Sequence, residues 1–282
     1  MIEIDKAKCQ NCNLCFQTCP YGIINPGPHV KEAANAFCIE CGQCYAVCPG
    51  NAVTVCGCPD EEQPGRPADI AAEAMLDLLQ NRRSTRLFQP LPVADEHMEF
   101  LIRAASVAPS ATNLRQVKAY VVRNTSLIGD IRIATTNYYA SLQRMFTLPG
   151  ASLLARIQGI SRARMERVLP AMLAITNPPE GKDPLFYNAR TLVVFTVPKS
   201  AGEETVGDAW IAAQNMVIAA ETIPVGSCYN GFLSYAAHEY PYLKKLMGVS
   251  EDEKVVTSLL LGYPGGRYLR RPHREMMPTV WK

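Results

Sequence analysis

The sequence predicts an α+β protein in two parts, a small cysteine-organised module followed by a larger α+β domain. Three observations carry that expectation. Eight of the 11 cysteines fall within the first 48 residues, helical and β-rich patterns dominate beyond residue 69, and a proline- and acid-rich stretch lies between. The chain has 282 residues, 48% hydrophobic and 19% charged, a globular composition long enough for a substantial core. Its formal charge of +2 argues for neither nucleic acid nor an anionic membrane as a partner. No apolar run reaches the roughly 18 residues of a membrane span. The start, "MIEIDKAKC", lacks the basic head and apolar stretch of a secretory signal, so the expected location is cytoplasmic.

Eleven cysteines without a signal favour metal ligation over disulfides, because a reducing cytosol keeps thiols free. Cys9, Cys12, Cys15 and Cys19 precede Pro20; Cys38, Cys41, Cys44 and Cys48 precede Pro49, each member 29 residues from its counterpart. Zinc sites use pairs of ligand pairs that close one tetrahedron. A CxxCxxCxxxCP run instead wraps three corners of a [4Fe-4S] cube, and its fourth cysteine ligates the other cluster. That assigns Cys9, Cys12, Cys15 and Cys48 to one cluster and Cys38, Cys41, Cys44 and Cys19 to the second. Over residues 1–58 the sequence resembles a bacterial two-cluster ferredoxin. Ile2, Ile4, Ile23, Ile24, Val53 and Val55 are its expected apolar shield. Cys56 and Cys58 form a CxC read either as a further ligand pair or as free thiols, and Cys228 reads as a small buried residue.

"CPDEEQPGRP" reads as a linker over residues 59–69, and residues 70–282 form the second domain. "ADIAAEAMLDLLQN" spaces Ile70, Ala74, Met75, Leu78 and Leu79 as an amphipathic helix. Asp95 is the expected cap of a second helix with the stripe Met98, Leu101, Ile102 and Ala105, ended by Pro109. "VKAYVV", "TLVVFTV" and "VVTSLLLG" read as strands of a small sheet. "DAWIAAQNMVIAA" is apolar nearly all round, as suits a core helix or a dimer interface.

"RRSTRLF" places Arg82, Arg83, Ser84 and Arg86 at the end of the first helix. Guanidinium forks and a short hydroxyl suit phosphate oxygens, and arginines there would equally complement the negative end of the helix. "APSATNLRQ" adds a turn with Pro109, Ser110 and Asn113, and "LLLGYPGGRYLRRPHR" follows a strand with Arg267, Arg270, Arg271 and Arg274. In these motifs and their order, residues 70–282 resemble the FMN-dependent nitroreductase family.

That resemblance implies an α+β homodimer with FMN at its interfaces. Arg82, Arg83 and Ser84 would meet phosphate or ribityl oxygens, and Arg86 would lie near the flavin pyrimidine edge. Pro109, Ser110 and Asn113 would come from the partner chain. The backbone N–H groups of Asn230 and Gly231 would lie near flavin N5, and Arg267, Arg271 or Arg274 would close on the phosphate. Relatives commonly continue past the asparagine as N-x-Q-P-W, where this chain reads Asn113, Leu114, Arg115, Gln116 and Val117. Residues 137–188 read as a lid with Tyr138, Tyr139, Phe186 and Tyr187 as stacking residues, or equally as an insertion that packs on the surface or thickens the dimer.

The fusion implies an oxidoreductase. An external donor, reduced ferredoxin or NAD(P)H, would load two [4Fe-4S] clusters, and FMN would pass electrons to a small-molecule acceptor such as a nitro compound. Ene reduction, dehalogenation and dehydrogenation fit the same parts, as does a non-enzymatic electron-transfer or redox-sensing protein.

Overall fold

In a computed structural model of the chain, residues 2–27, 29–31, 35–56, 69–147 and 162–282 are described. Residues 59–68 of the expected linker, Cys58 and the middle of the 137–188 segment, including Pro149, lie outside the described residues. The chain divides into two compact units, Met1–Ala71 with Ser110–Arg115, and Ala72–Pro109 with Gln116–Lys282.

The first unit is built twice over from one pattern. Helix α1 (Leu14–Thr18) and helix α2 (Gln43–Ala46) begin 29 residues apart. Each is preceded by a left-handed residue, Asn13 at φ 60° and Gly42 at φ 70°. Asn11 and Glu40 form a second such pair at φ 52° and 53°, and Gly22 and Asn51 a third at 59° and 48°. Left-handed turns of this kind let three cysteines at two-residue spacing wrap around one centre; Gly and Asn adopt them at least cost. Strand β1 (Ile2–Ile4) pairs antiparallel with β4 (Val53–Val55), setting Ile2 opposite Val55 and Ile4 opposite Val53. Between them β2 (Ile24–Asn25) pairs with β3 (His29–Val30). Ile2, Ile23, Ile24, Val53 and Val55 are buried as expected, with Cys44, while Ile4 is half-buried against them.

The second unit is a four-stranded antiparallel sheet in the order β5 (Lys118–Val122), β6 (Thr191–Pro198), β8 (Glu253–Gly262), β7 (Gly226–Tyr229). Period-two alternation divides the side chains of β6 between two cores. Leu192 and Val194 enter one; Val193, Phe195 and Val197 enter the other. Helix α4 (Asp95–Ser106) and helix α7 (Glu203–Ala220) cover the second face through Met98, Leu101, Ala105, Ala213 and Met216. The first is covered by α5 (Thr125–Thr147), α6 (Arg162–Thr176), α8 (Gly231–Glu239) and α9 (Pro241–Leu246). Both faces are thus buried, which is why β6 reads as a continuous apolar run rather than an alternating one.

Several elements differ from expectation. β7 carries the sequence Gly-Ser-Cys-Tyr and escapes pattern reading because it is short and begins with two small residues. Asp95 is not the cap: Ala94 occupies that position, and Asp95 sits in the first turn of α4 and pairs with Arg123. Ile102 stays exposed at 39%. Helix α3 (Ala72–Asn81) forms where the spacing predicts it but buries no residue within this chain. In α7 one side enters the core, while Trp210 and Ile211 remain 46% and 41% exposed.

Candidate functional site

In the first unit the eight cysteines of the repeat gather around two cavities. Cys9, Cys12, Cys15 and Cys48 line one; Cys19, Cys38, Cys41 and Cys44 line the other. The β1–β4 ribbon walls both, through Ile4 and Val53 on the first and Ile2 and Val55 on the second. Burial raises the thiols of Cys15 and Cys44, the latter to about 11, with the neighbouring charges of Cys48 and of Cys19, respectively, adding to it. The fourth cysteine of each run therefore faces the other run's cavity. Among the described residues no three His, Cys, Asp or Glu side chains converge on one point as a single metal ion requires. Four thiols around an apolar-walled volume suit the corners of an iron–sulfur cube, and the donor set is all sulfur. Backbone N–H groups already point at the sulfurs: Asn11 to Cys9 at 3.4 Å, Glu40 to Cys38 at 3.4 Å, and Ala52 to Cys48 at 3.2 Å. Cys56 lies exposed beyond β4 and lines neither cavity.

In the second unit the chain leaving α3 runs along the sheet edge. Ser84 bridges Ser227 of β7, the Thr85 N–H donates to the Ser227 carbonyl at 2.8 Å, and Phe88 bridges Pro264. Gly262 is needed here, since a Cβ on it would stand 2.9 Å from the Phe88 ring. This anchoring brings Arg82, Ser84 and Arg86 around the Cys228 thiol. Burial raises that thiol, while Arg86, Ser84 and Arg82 all pull it down. Arg86 also lies 5.9 Å over the Tyr187 ring. Neither Arg82 nor Arg86 forms a close ion pair with a carboxylate among the described residues; half-buried Glu221, its carboxyl raised by burial, feels Arg82 and Arg83. Beside them the Ser227 hydroxyl is buried with no hydrogen-bond partner among the described residues. Guanidinium groups without a close ion pair, a hydroxyl and a buried Ser227 oxygen on one edge are a donor set suited to an anionic, oxygen-rich ligand, which fits the phosphate and ribityl of FMN.

Not every expected residue joins that group. The Arg83 guanidinium donates to the carbonyls of Gln80 and Arg82 at 2.7 Å each, closing the C-terminal end of α3. Arg271 is held by α3, with Nε on Asn81 at 2.7 Å and Nη1 on Asp77 at 2.9 Å and Gln80 at 3.0 Å. Arg267 and Arg274 are exposed. Asn230 caps α8, accepting from the Leu233 N–H, and its side chain donates to the Leu185 carbonyl. Its own N–H is bonded to the Ser258 carbonyl at 2.9 Å, so it is not turned toward a flavin. Gly231 opens α8, where an N–H has no intrahelical acceptor, and nothing stands within 4 Å of where its Cβ would be. It remains the available donor of the pair.

Pro109 is exposed in the second unit, whereas Ser110 and Asn113 belong to the first. The Ser110 hydroxyl accepts from the Arg115 N–H, and Asn113 Nδ2 donates to the carbonyls of Ile39 and Glu40 at 2.9 Å each. Asn113 thus faces a cysteine turn, and neither amide hydrogen is left for a flavin. Of the four expected stacking residues in the 137–188 segment, Phe186 and Tyr139 are core, the latter donating to the Phe232 carbonyl, and Tyr138 packs on Tyr139 and Tyr240. Tyr187 alone meets a candidate site residue, Arg86. Two contributors, Ser227 and Tyr268, carry no sequence signal. The Tyr268 hydroxyl donates to the Ser84 carbonyl at 3.3 Å across 184 residues, a pairing only the folded chain reveals.

Comparison with known proteins places these parts. The profile of the nitroreductase family matches residues 79–263, and that of the 4Fe-4S dicluster domain matches residues 1–49. Over 212 residues the chain is 26% identical to nitroreductase NfnB of Mycolicibacterium smegmatis, covering 71% of this chain and 87% of that protein. In fold it resembles a nitroreductase with bound FMN from Bacteroides fragilis, with TM-score 0.56 and 18% identity over 74% of this chain and 98% of that one. It also resembles the FMN-dependent NfnB from Mycobacterium smegmatis in complex with NADPH, with TM-score 0.50 and 23% identity over 69% and 89% of the two chains. No described helix is long and apolar enough to cross a membrane.

Proposed function

This chain belongs to the nitroreductase family, and from that premise we propose that it is an iron–sulfur flavoprotein oxidoreductase carrying two [4Fe-4S] clusters and FMN. With those groups bound, electrons from an external low-potential donor, reduced ferredoxin or NAD(P)H, would enter through the clusters and pass by way of the flavin to an electrophilic organic acceptor such as a nitro compound. FMN supplies the exchange between one-electron and two-electron chemistry. The observation that carries this reading is that one chain holds both two four-thiol cavities and an edge where Arg82, Ser84 and Arg86 gather around Cys228.

The chain's own groups bind and orient. Cys9, Cys12, Cys15 and Cys48 hold one cluster, and Cys19, Cys38, Cys41 and Cys44 the other, with the β1–β4 ribbon excluding water from both. Arg82 and Ser84 hold the anionic end of FMN. Arg86, 5.9 Å over the Tyr187 ring, would offer positive charge to the flavin ring system. The Gly231 N–H stands at the head of α8, whose dipole favours negative charge. No side-chain acid or nucleophile is required, so positioning and electrostatics are the protein's contribution. The exposed apolar residues of α3 and α7 support a homodimer, the expected assembly for FMN bound between two chains.

An anaerobic reduction series with NADH, NADPH and reduced ferredoxin, followed by a panel of nitro and activated-alkene acceptors, tests the reading. Cluster bleaching before or together with flavin bleaching, and acceptor-dependent reoxidation, are expected. Purified protein that neither contains nor takes up FMN would overturn it.

A further inference from the structure

The two cysteine turns of the first unit are copies in backbone but differ in what holds them. Asn11 and Glu40, 29 residues apart, both stand in the left-handed region, and each donates its N–H to the sulfur of the first cysteine of its run at 3.4 Å. A non-glycine residue there is strained and persists where its surroundings over-determine it. For Glu40 those surroundings include a residue far along the chain. Asn113 donates from one amide nitrogen to the carbonyls of both Ile39 and Glu40, at 2.9 Å each.

The amide is fully used. Its two hydrogens go to the two carbonyls, and its Oδ1 accepts from the Arg115 Nε at 3.1 Å. The segment that presents it is equally determined, with Thr112, Asn113 and Arg115 left-handed at φ 48°, 57° and 50°, and the Arg115 N–H tied to the Ser110 hydroxyl. The equivalent carbonyls of the first run, those of Gln10 and Asn11, accept no such clamp among the described residues. The clamp therefore breaks the symmetry of the repeat at one point.

We propose that Asn113 is a positioning residue for the cluster of the second cavity. By fixing the Ile39 and Glu40 carbonyls it holds the Glu40 N–H on the Cys38 sulfur and so keeps up the reduction potential of that cluster. Hydrogen bonds to ligand sulfur stabilise the more negative, reduced state, so each one raises the potential. Releasing the carbonyls lets the Glu40 N–H turn away, and the potential of that cluster falls. This rests on the two-cluster reading above, and it takes Asn113 away from the flavin role expected of it.

The experiment is an anaerobic redox titration followed by electron paramagnetic resonance on the full-length protein and Asn113→Ala, with iron and FMN measured on the same samples. One of the two cluster waves moves to more negative potential, the other holds, and FMN per chain is unchanged. Asn113→Asp, which keeps the shape but sets a carboxylate against the two carbonyls, moves the same wave; it decides the matter if Asn113→Ala does not fold. Unmoved cluster waves, equal movement of both, or loss of FMN with the clusters intact would each overturn the proposal. So would loss of fold in both variants, which makes the residue a structural one. Wild-type protein without two clusters would fail the underlying reading, a result visible in the iron content before any variant is made.

Discussion

Cys19 lines the same cavity as Cys44, although the two belong to different copies of the cysteine repeat. Burial raises the Cys44 thiol, and the charge of Cys19 adds to the effect, as it can only at close range. Cys48 stands in the same relation to Cys15. Cys19→Ser is therefore expected to remove or degrade the second cluster while sparing the first, costing roughly half of the iron per chain. Cys48→Ser should do the reverse. Iron and sulfide analysis with paramagnetic resonance of the reduced protein checks this, and equal damage to both clusters would refute the crossed arrangement.

Arg82→Ala and Ser84→Ala should weaken FMN binding and leave cluster absorbance intact. A charge-assisted hydrogen bond contributes about 1.5–3 kcal/mol, so loss of Arg82 should raise the FMN dissociation constant roughly 10- to 150-fold. Arg271→Ala makes the contrast. Its guanidinium is spent on Asp77, Gln80 and Asn81 in an exposed network worth about 0–1 kcal/mol, so FMN affinity should change less than about fivefold. Fluorescence titration of FMN into deflavinated protein measures both.

Asp183 organises the turn that carries Tyr187. Its carboxylate is only 7% exposed and accepts from the N–H groups of Leu185, Phe186 and Asn188, with Arg132 at 3.8 Å. These bonds hold Tyr187 and Asn188 left-handed at φ 54° and 61°. Asp183→Ala should cost about 1–3 kcal/mol, because the part-buried N–H groups of Leu185 and Phe186 lose their acceptor. Urea denaturation measures the loss, and weaker FMN binding should accompany it as Arg86 loses its ring.

Glu253 gives the protein an acid-sensitive contact. Burial alone would raise its carboxyl, but hydrogen bonds from Lys118 and Thr196, at 2.6 Å each, outweigh it and hold the pKa below its ordinary 4.5. A depressed folded-state pKa adds stability that is present above the unfolded value and is lost as pH falls through the folded one. Thermal unfolding followed from pH 7 into the acid range should therefore fall less steeply in Glu253→Gln than in wild type below about pH 4.5. Parallel curves would show that the contact carries no linkage.

Much of this was legible in the residues themselves. The two cysteine runs, their proline exits and the 29-residue offset already define two cluster sites, because thiolate spacing is a local property of the chain. The strands β5, β6 and β8 and the helices α3, α4 and α7 follow from periodicity, which reflects which faces are buried. β7 was not legible, since Gly226 and Ser227 carry no apolar alternation. Nor was the fate of the arginines. "RRSTRLF" offers three alike, and only the fold turns Arg83 back onto the end of α3 while leaving Arg82 and Arg86 beside Cys228.

The sequence by itself determined the chemistry available: sulfur ligands in two sets, and arginines with a hydroxyl at the mouth of an α+β domain. Tertiary structure alone decided which of those groups remain free to use it. Hydrogen bonding is saturable, so a donor spent inside the protein is withdrawn from a ligand. Arg271 is spent on Asp77, the Asn230 N–H on Ser258, and the Asn113 amide on Ile39 and Glu40. Those partners lie between 28 and 194 residues away, and no local pattern in the chain could announce them.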